Sequence, residues 1–420
     1  MTHSSLTRDH VIVAGGGIGG LAAALSLRKA GVRVTLVEQA DEFGEVGAGI
    51  QIAPNGTRVL RGLGLLDRTV ELGLVPRRIV MRDALDDREL TSLDLRDVER
   101  RYGAPYVVVH RSDLHSLLLE ACRDLDVELH TGSRVVGYQR SPESAEVELA
   151  DGRSLTGDAV IAADGLHSVA RAALVGDDVV SSGYVAYRGT AAADEHPVVG
   201  GHRPDEVTVH VGPRCHFVQY GLRGGALLNQ VAVFESPTAR AGGADWGTPD
   251  ELDEAFAATC AAVRDRLPLL GRDRWWRMFD REPVDRWVRG RLALLGDSAH
   301  PPLQYLAQGA IMAIEDGWSL GRRVTAARGA DGVDWDAALG AYEAERAPHC
   351  RRVVLTARVW GELWHLDGPD RDARNELLEA RAVDDYTHVD WLFGPVAEPG
   401  RSSSVQERAD VSSEASSRAR

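Results

Sequence analysis

Residues 11–38 hold the feature that most narrows the fold. An apolar stretch, Val11–Ala14, runs into the glycine turn Gly15-Gly-Gly17-Ile18-Gly-Gly20. An alanine-rich helical segment, Leu21–Lys29, follows, and a second apolar stretch, Val32–Val37, ends at Glu38. Strand, GxGxxG turn, helix and strand in this order form half of a dinucleotide-binding α/β fold. Each glycine has its own physical reason. Gly15 permits the tight turn, Gly17 lets the backbone approach a pyrophosphate at the helix N-terminus, and Gly20 allows close helix packing. A carboxylate at the end of the second strand, here Glu38, can accept from a ribose hydroxyl. The turn alone leaves open which dinucleotide binds, because NAD and FAD domains share it.

Further along, 41–56 reads as a glycine-rich loop and a helix is expected from Gly56 to about Leu66. Residues 75–95 alternate like strands, and Arg111–Asp124 reads as a helix with Ser112 as N-cap. Val127–Val136, Ala145–Leu149 and Ala159–Ala163 are strand-like. The pattern then changes. Tyr184–Gly189, Val207–Val211, Cys215–Gly221 and Leu227–Phe234 alternate as in a mixed or antiparallel sheet. A helix is expected over Asp250–Arg266, a strand over Arg291–Leu295, and helices from Gly309 to Ala327 and over 336–364.

Two later segments resolve the ambiguity. One is Ala163-Asp164-Gly165-Leu-His-Ser-Val-Ala-Arg171. The other is Gly296-Asp297-Ser-Ala-His-Pro301, which leads into the helix opened by Gly309 and Ala310. With the N-terminal GxGxxG, these three motifs in this order resemble the class A flavoprotein monooxygenases, the single-component aromatic hydroxylases. The resemblance spans roughly residues 9–394. It departs mildly at Ala162, where glycine is common, and at Ser298, where alanine is common. It implies an α/β chain in which a Rossmann-like FAD-binding domain is interleaved with a mixed β-sheet substrate domain and followed by C-terminal helices. The expected FAD-binding pieces are 9–75, 111–179 and 286–330. The substrate pieces are 76–110 and 180–285, and the helices occupy 331–394.

The resemblance also assigns residues to the cofactor. Gly15, Gly17, Ile18 and Gly20 would hold the pyrophosphate. Glu38, Gln39, Gly47 and Val135 belong to the set expected to hold FAD, as do Arg111 and Asp164. Asp297 would accept from a ribityl hydroxyl, and the amides of Gly309 and Ala310 would face negative charge on the flavin N1–C2 region. Only one glycine fingerprint is present, so the nicotinamide, NADH by this resemblance, is expected to visit transiently.

A narrower resemblance is to the 3-hydroxybenzoate 6-hydroxylases. It rests on Gly212-Pro-Arg-Cys-His216-Phe-Val-Gln-Tyr220 and on Pro301-Pro-Leu-Gln304-Tyr-Leu-Ala-Gln-Gly309. It assigns His216 and Gln304 to a phenol, Tyr220 to a carboxylate or to the pocket wall, and Asp83 to the pocket. Imidazole titrates near neutral pH and can take a phenolic proton, so a histidine suits the role. The implied reaction consumes an aromatic acid or phenol, NADH and O2, passes through a flavin C4a-hydroperoxide, and yields 2,5-dihydroxybenzoate from 3-hydroxybenzoate. Rival readings are a salicylate-type or antibiotic-tailoring hydroxylase, or a flavin reductase or oxidase.

Composition excludes several classes. A formal net charge of -15 disfavours nucleic-acid binding. The cysteines, Cys122, Cys215, Cys260 and Cys350, form no CxxC pair, so neither a metal nor a disulfide framework is expected. No apolar run suggests a secretion signal or membrane span, so a cytoplasmic location is expected. A homodimer is compatible with the resemblance. The polar end, 396–420, is expected to be disordered.

Overall fold

The computed structural model describes residues 9–44, 48–194, 203 and 205–394. Gly47 and the 396–420 tail lie outside the described residues. The N-terminal unit folds as its pattern dictates. Strand His10–Ala14 pairs in parallel with Arg33–Val37 on one side and Ala159–Ala162 on the other. Leu292–Leu294 and Glu128–His130 extend this sheet in parallel, and the short Val288–Arg289 closes one edge antiparallel. The central strands are buried on both faces, which explains their continuous apolar runs.

A second sheet has seven strands. Its order is Trp276–Asp280, Val180–Ala192, Leu227–Glu235, Cys215–Leu222, Glu206–Gly212, Arg78–Asp83 and Glu89–Asp94. It is antiparallel except where Glu206–Gly212 runs parallel to Arg78–Asp83. One face packs Val185, Tyr187, Phe217, Ala232 and Phe234 against Leu252 and Phe256 in a separate small core. The opposite face, one residue out of phase, carries Arg188, Val231, Val218, His216 and Tyr220. The chain enters each sheet more than once, as the interleaved reading expects.

The helix Gly309–Ala326 returns to the glycine turn and lies along the helix Ile18–Lys29. Small residues make the approach close. A Cβ on Gly317 would stand 2.6 Å from the Ala23 backbone nitrogen, and one on Gly321 2.8 Å from the Ser26 side chain. Near the turn, a Cβ on Gly19 would meet Ala313 and Leu295 at 3.0 Å. Segments almost 300 positions apart thus share one corner of the molecule.

Several boundaries differ from expectation. The helix expected from Gly56 to Leu66 is two helices, Pro54–Leu63 and Leu66–Leu72, because Gly64 adopts the left-handed conformation at φ 81° and ends the first. Arg111–Asp124 is a helix as expected, but its N-cap is His110, and Ser112 Oγ instead lies 2.7 Å from His110 Nδ1. The helix expected over Asp250–Arg266 breaks into Pro249–Phe256 and Ala261–Arg264. Among the described residues, no helix is long and apolar enough to cross a membrane.

Candidate functional site

A cavity of about 1020 Å³ runs between the two sheets. One end is built from backbone. Gly15 sits at φ 113°, and a Cβ there would lie 2.2 Å from the Ala163 carbonyl oxygen, so the turn can close on the neighbouring strand only as glycine. Gly17 caps the helix Ile18–Lys29 without a side-chain bond, leaving the first amides open. Gly17, Ile18 and Gly20 line the cavity. The buried His115 carries its proton on Nε2 and donates it to the Gly16 carbonyl at 2.8 Å, which fixes the loop from below. No motif points to that histidine in the sequence.

Glu38 stands at the end of the second strand as expected. Its Oε2 accepts from Gly16 N–H at 2.6 Å and its Oε1 from Ala40 N–H at 2.9 Å. A carboxylate has further lone pairs, so a ribose hydroxyl can still donate to it. Gln39 is exposed beside it. Val135 lies two residues beyond Ser133, whose N–H donates to the Glu38 carbonyl. Glu38, Gln39 and Val135 border the outer end of the glycine loop and do not line the main cavity. Arg111 does line it, from the start of its helix.

Asp164 does not line the cavity, although Ala163 and Gly165 do. Its Oδ2 accepts from Tyr138 Oη at 3.0 Å and from Val169 N–H at 2.9 Å, and its Oδ1 from Ser298 Oγ at 3.0 Å. The carboxylate thus joins the central segment to the late one. Ser298, the departure from the family pattern, supplies that joint and also accepts from Gly165 N–H at 3.1 Å.

The late segment turns at Gly296, φ 64°. Asp297 is the one exposed residue between Leu292 and His300, and it opens into the cavity. Gly309 and Ala310 present the start of an 18-residue helix whose N-cap, Gln308, makes no side-chain capping bond. Free amides and the positive end of the helix dipole therefore face the cavity. Glycine cradle, strand-end carboxylate, open Asp297 and uncapped helix together fit the pyrophosphate, ribose, ribityl and isoalloxazine parts of FAD.

The other end is built from side chains. His216, Tyr220 and Gln304 all line the cavity. His216 is buried, with Nδ1 2.8 Å from Nε2 of His365, so Nε2 is the atom left for a ligand. Tyr305 and Trp364 enclose its ring at centroid distances of 5.5 and 5.1 Å. Burial, reinforced by the neighbouring His365, holds His216 well below its ordinary value, and burial lowers His365 to about 3. Both imidazoles are neutral at physiological pH, so each ring keeps one nitrogen as a hydrogen-bond acceptor. Gln304 Oε1 accepts from Arg188 Nη2 at 3.3 Å. Burial raises the Tyr220 phenol, which stays protonated and can donate.

Asp83 is not brought to the site. It is buried outside the cavity lining, and its carboxylate accepts from Leu85 N–H at 2.8 Å, Asn375 at 2.8 Å and Arg371 at 2.7 Å. These partners hold it below its ordinary range despite burial. Asp83 therefore pins the helix Gly368–Glu379 to the sheet. Trp275, Trp287 and Met312 pack in the two cores.

Comparisons with known proteins agree with this geometry. A family model described as FAD binding domain matches residues 8–357. A 3-hydroxybenzoate 6-hydroxylase from Polaromonas naphthalenivorans (strain CJ2) is 38% identical over 387 residues, covering 91% of this chain and 95% of that one. The 3-amino-4-hydroxybenzoate 2-monooxygenase PtnB3 from Streptomyces platensis is 38% identical over 412 residues, covering 95% and 99%. Among solved structures, Klebsiella pneumoniae HpxO complexed with FAD and uric acid superposes with a TM-score of 0.80 at 29% identity, covering 93% of this chain and 99% of that one. The chain belongs to the FAD binding domain family and is an FAD-dependent aromatic hydroxylase.

Proposed function

We propose that the protein hydroxylates 3-hydroxybenzoate at the ring carbon para to its hydroxyl, using NADH and O2, to give 2,5-dihydroxybenzoate. One observation carries the reading: a neutral, buried histidine, His216, shares one cavity with Gln304, Tyr220 and the FAD-fitting loops. The names of relatives at 36–38% identity point the same way.

Bound FAD supplies hydride acceptance and oxygen activation. The chain's own groups prepare the ring. His216 Nε2 takes the phenolic proton, which raises electron density at the para carbon. His365 holds the imidazole and can share the Nδ1 proton. Gln304 orients the phenolic oxygen, and Tyr220 donates from its protonated hydroxyl. The apolar wall of Val209, Val218 and Val231 keeps water away from the reacting face. Four unpaired cysteines suit a reducing cytoplasm. The homodimer stays part of this reading and is tested by light scattering.

A second reading has its own support, because the 3-amino-4-hydroxybenzoate 2-monooxygenases match this chain at 37–38%. A screen of hydroxybenzoate isomers and 3-amino-4-hydroxybenzoate, with substrate-dependent NADH oxidation and product mass, decides between them. His216→Ala is expected to slow hydroxylation by about 10²–10⁴-fold with FAD retained. Unchanged coupled turnover in that variant would remove His216 from the mechanism.

A further inference from the structure

Arg188 stands out among the residues that line the cavity. It is the one charged side chain that the seven-stranded sheet contributes to that lining, among the described residues. Its strand register explains the placement. Arg188 pairs with Val231, and Val231 with Val218, which lies midway between His216 and Tyr220 on the same sheet face. Two interstrand spacings, about 10 Å, separate the arginine's strand from that row.

Its hydrogen bonding is incomplete. Nη2 donates to Gln304 Oε1 at 3.3 Å, and the guanidinium lies 5.4 Å from the Trp276 ring centre. Nε is buried without a partner. No carboxylate of the described residues pairs with it. Burial lowers the guanidinium from its ordinary value, and the nearby cation of Arg111 adds to that. The other arginines at the far side of the cavity are already engaged. Arg374 donates to Asn375 and to the carbonyls of Leu363 and Trp364. Arg381 donates to Thr91, Ser92 O and Asp385 O. A buried cation with an unmade bond costs free energy unless an anion completes it.

We propose that Arg188 is the cavity's anion anchor, binding the carboxylate of an aromatic acid across from the His216–Tyr220 row. The inference rests on the hydroxybenzoate reading, but both readings of the function involve a ring carboxylate and both would use it. A planar guanidinium suits a carboxylate, and the bond to Gln304 couples acid binding to the side chain that orients the phenol.

The test pairs each hydroxybenzoate with its neutral hydroxybenzamide. In the FAD-loaded enzyme, Arg188→Gln is expected to raise KM for the acid about 10- to 100-fold and change the amide less than about threefold. FAD content and the substrate-free flavin spectrum should stay as in wild type. Arg188→Lys, which keeps the charge, should recover part of the acid preference. Equal losses on acid and amide refute the anchor. So does a changed flavin spectrum with the acid-to-amide ratio intact, which would assign Arg188 to the flavin. A wild type that accepts neither compound refutes the functional reading first, and the anchor with it.

Discussion

Two glycines separate the ways a single atom can matter here. A Cβ on Gly20 would stand 1.9 Å from the Gly15 carbonyl oxygen, and backbone cannot yield. Gly20→Ala is therefore expected to destabilise the fold by about 1–3 kcal/mol and to release FAD. A Cβ on Gly49 would instead meet the Tyr220 ring, 2.6 Å from Cε2 and 2.8 Å from Oη. That obstacle is the movable end of a side chain. Gly49→Ala should keep FAD and fold, displace Tyr220, and raise KM for the aromatic acid. Measuring flavin content beside KM for both variants checks the pair; FAD loss in Gly49→Ala would contradict it. At this scale the sequence was legible wherever chemistry travels in a motif. Gly17, Asp297, His216 and Gln304, each named from a motif, all line the one cavity. His365 and Trp364 close a long helix with no motif around them, so only folding brings them to His216. Asp83 misled because a carboxylate beside a strand-rich segment says nothing about which face it takes.

The helix Gly309–Ala326 does two jobs, and the second is invisible in its own sequence. Its N-terminus faces the cavity, while Asp316, two turns further, is fully buried. Asp316 accepts from Arg346 Nε at 2.7 Å, pairs with His300 Nε2 at 2.5 Å, and takes the Gly296 N–H at 3.0 Å. That cluster ties the Gly296–Asp297 turn to two helices. Burial alone would raise Asp316, but His300 and Arg346 hold it down, to about 2. A depressed carboxylate stabilises the fold above its unfolded value, about 3.9, and loses that contribution as pH falls toward 2. Asp316→Asn should cost about 3–5 kcal/mol near neutrality, because it strands buried cations. Its stability, measured by denaturant melts, should then show less of the acid loss between about pH 4 and 2 that wild type shows. An unchanged acid limb would mean that other carboxylates set it. Periodicity foretold this helix to within a residue, since a long amphipathic run needs no partner to be recognised. The helices Leu95–Tyr102 and Thr387–Phe393 are short, with few periods to read.

At the scale of the whole molecule, the chain's first strand and its residues near 300 form a single binding corner. A ligand that touches both should act as a non-covalent staple between distant parts of the sequence. Asp297 allows this to be tested without disturbing the fold. Its side chain is exposed and makes no hydrogen bond among the described residues. Asp297→Ala should leave the flavin-free protein within about 0.5 kcal/mol of wild type. FAD at a hundred times its Kd adds about 2.7 kcal/mol to wild type, or roughly 3 °C in Tm for a chain of this length. If the carboxylate holds the ribityl chain, the variant at the same FAD concentration should recover only part of that shift. More FAD should restore it, because linkage depends on the ratio of ligand to Kd. Equal shifts in both proteins would show that the N-terminal glycine cradle binds FAD without the late segment, and the staple would be absent.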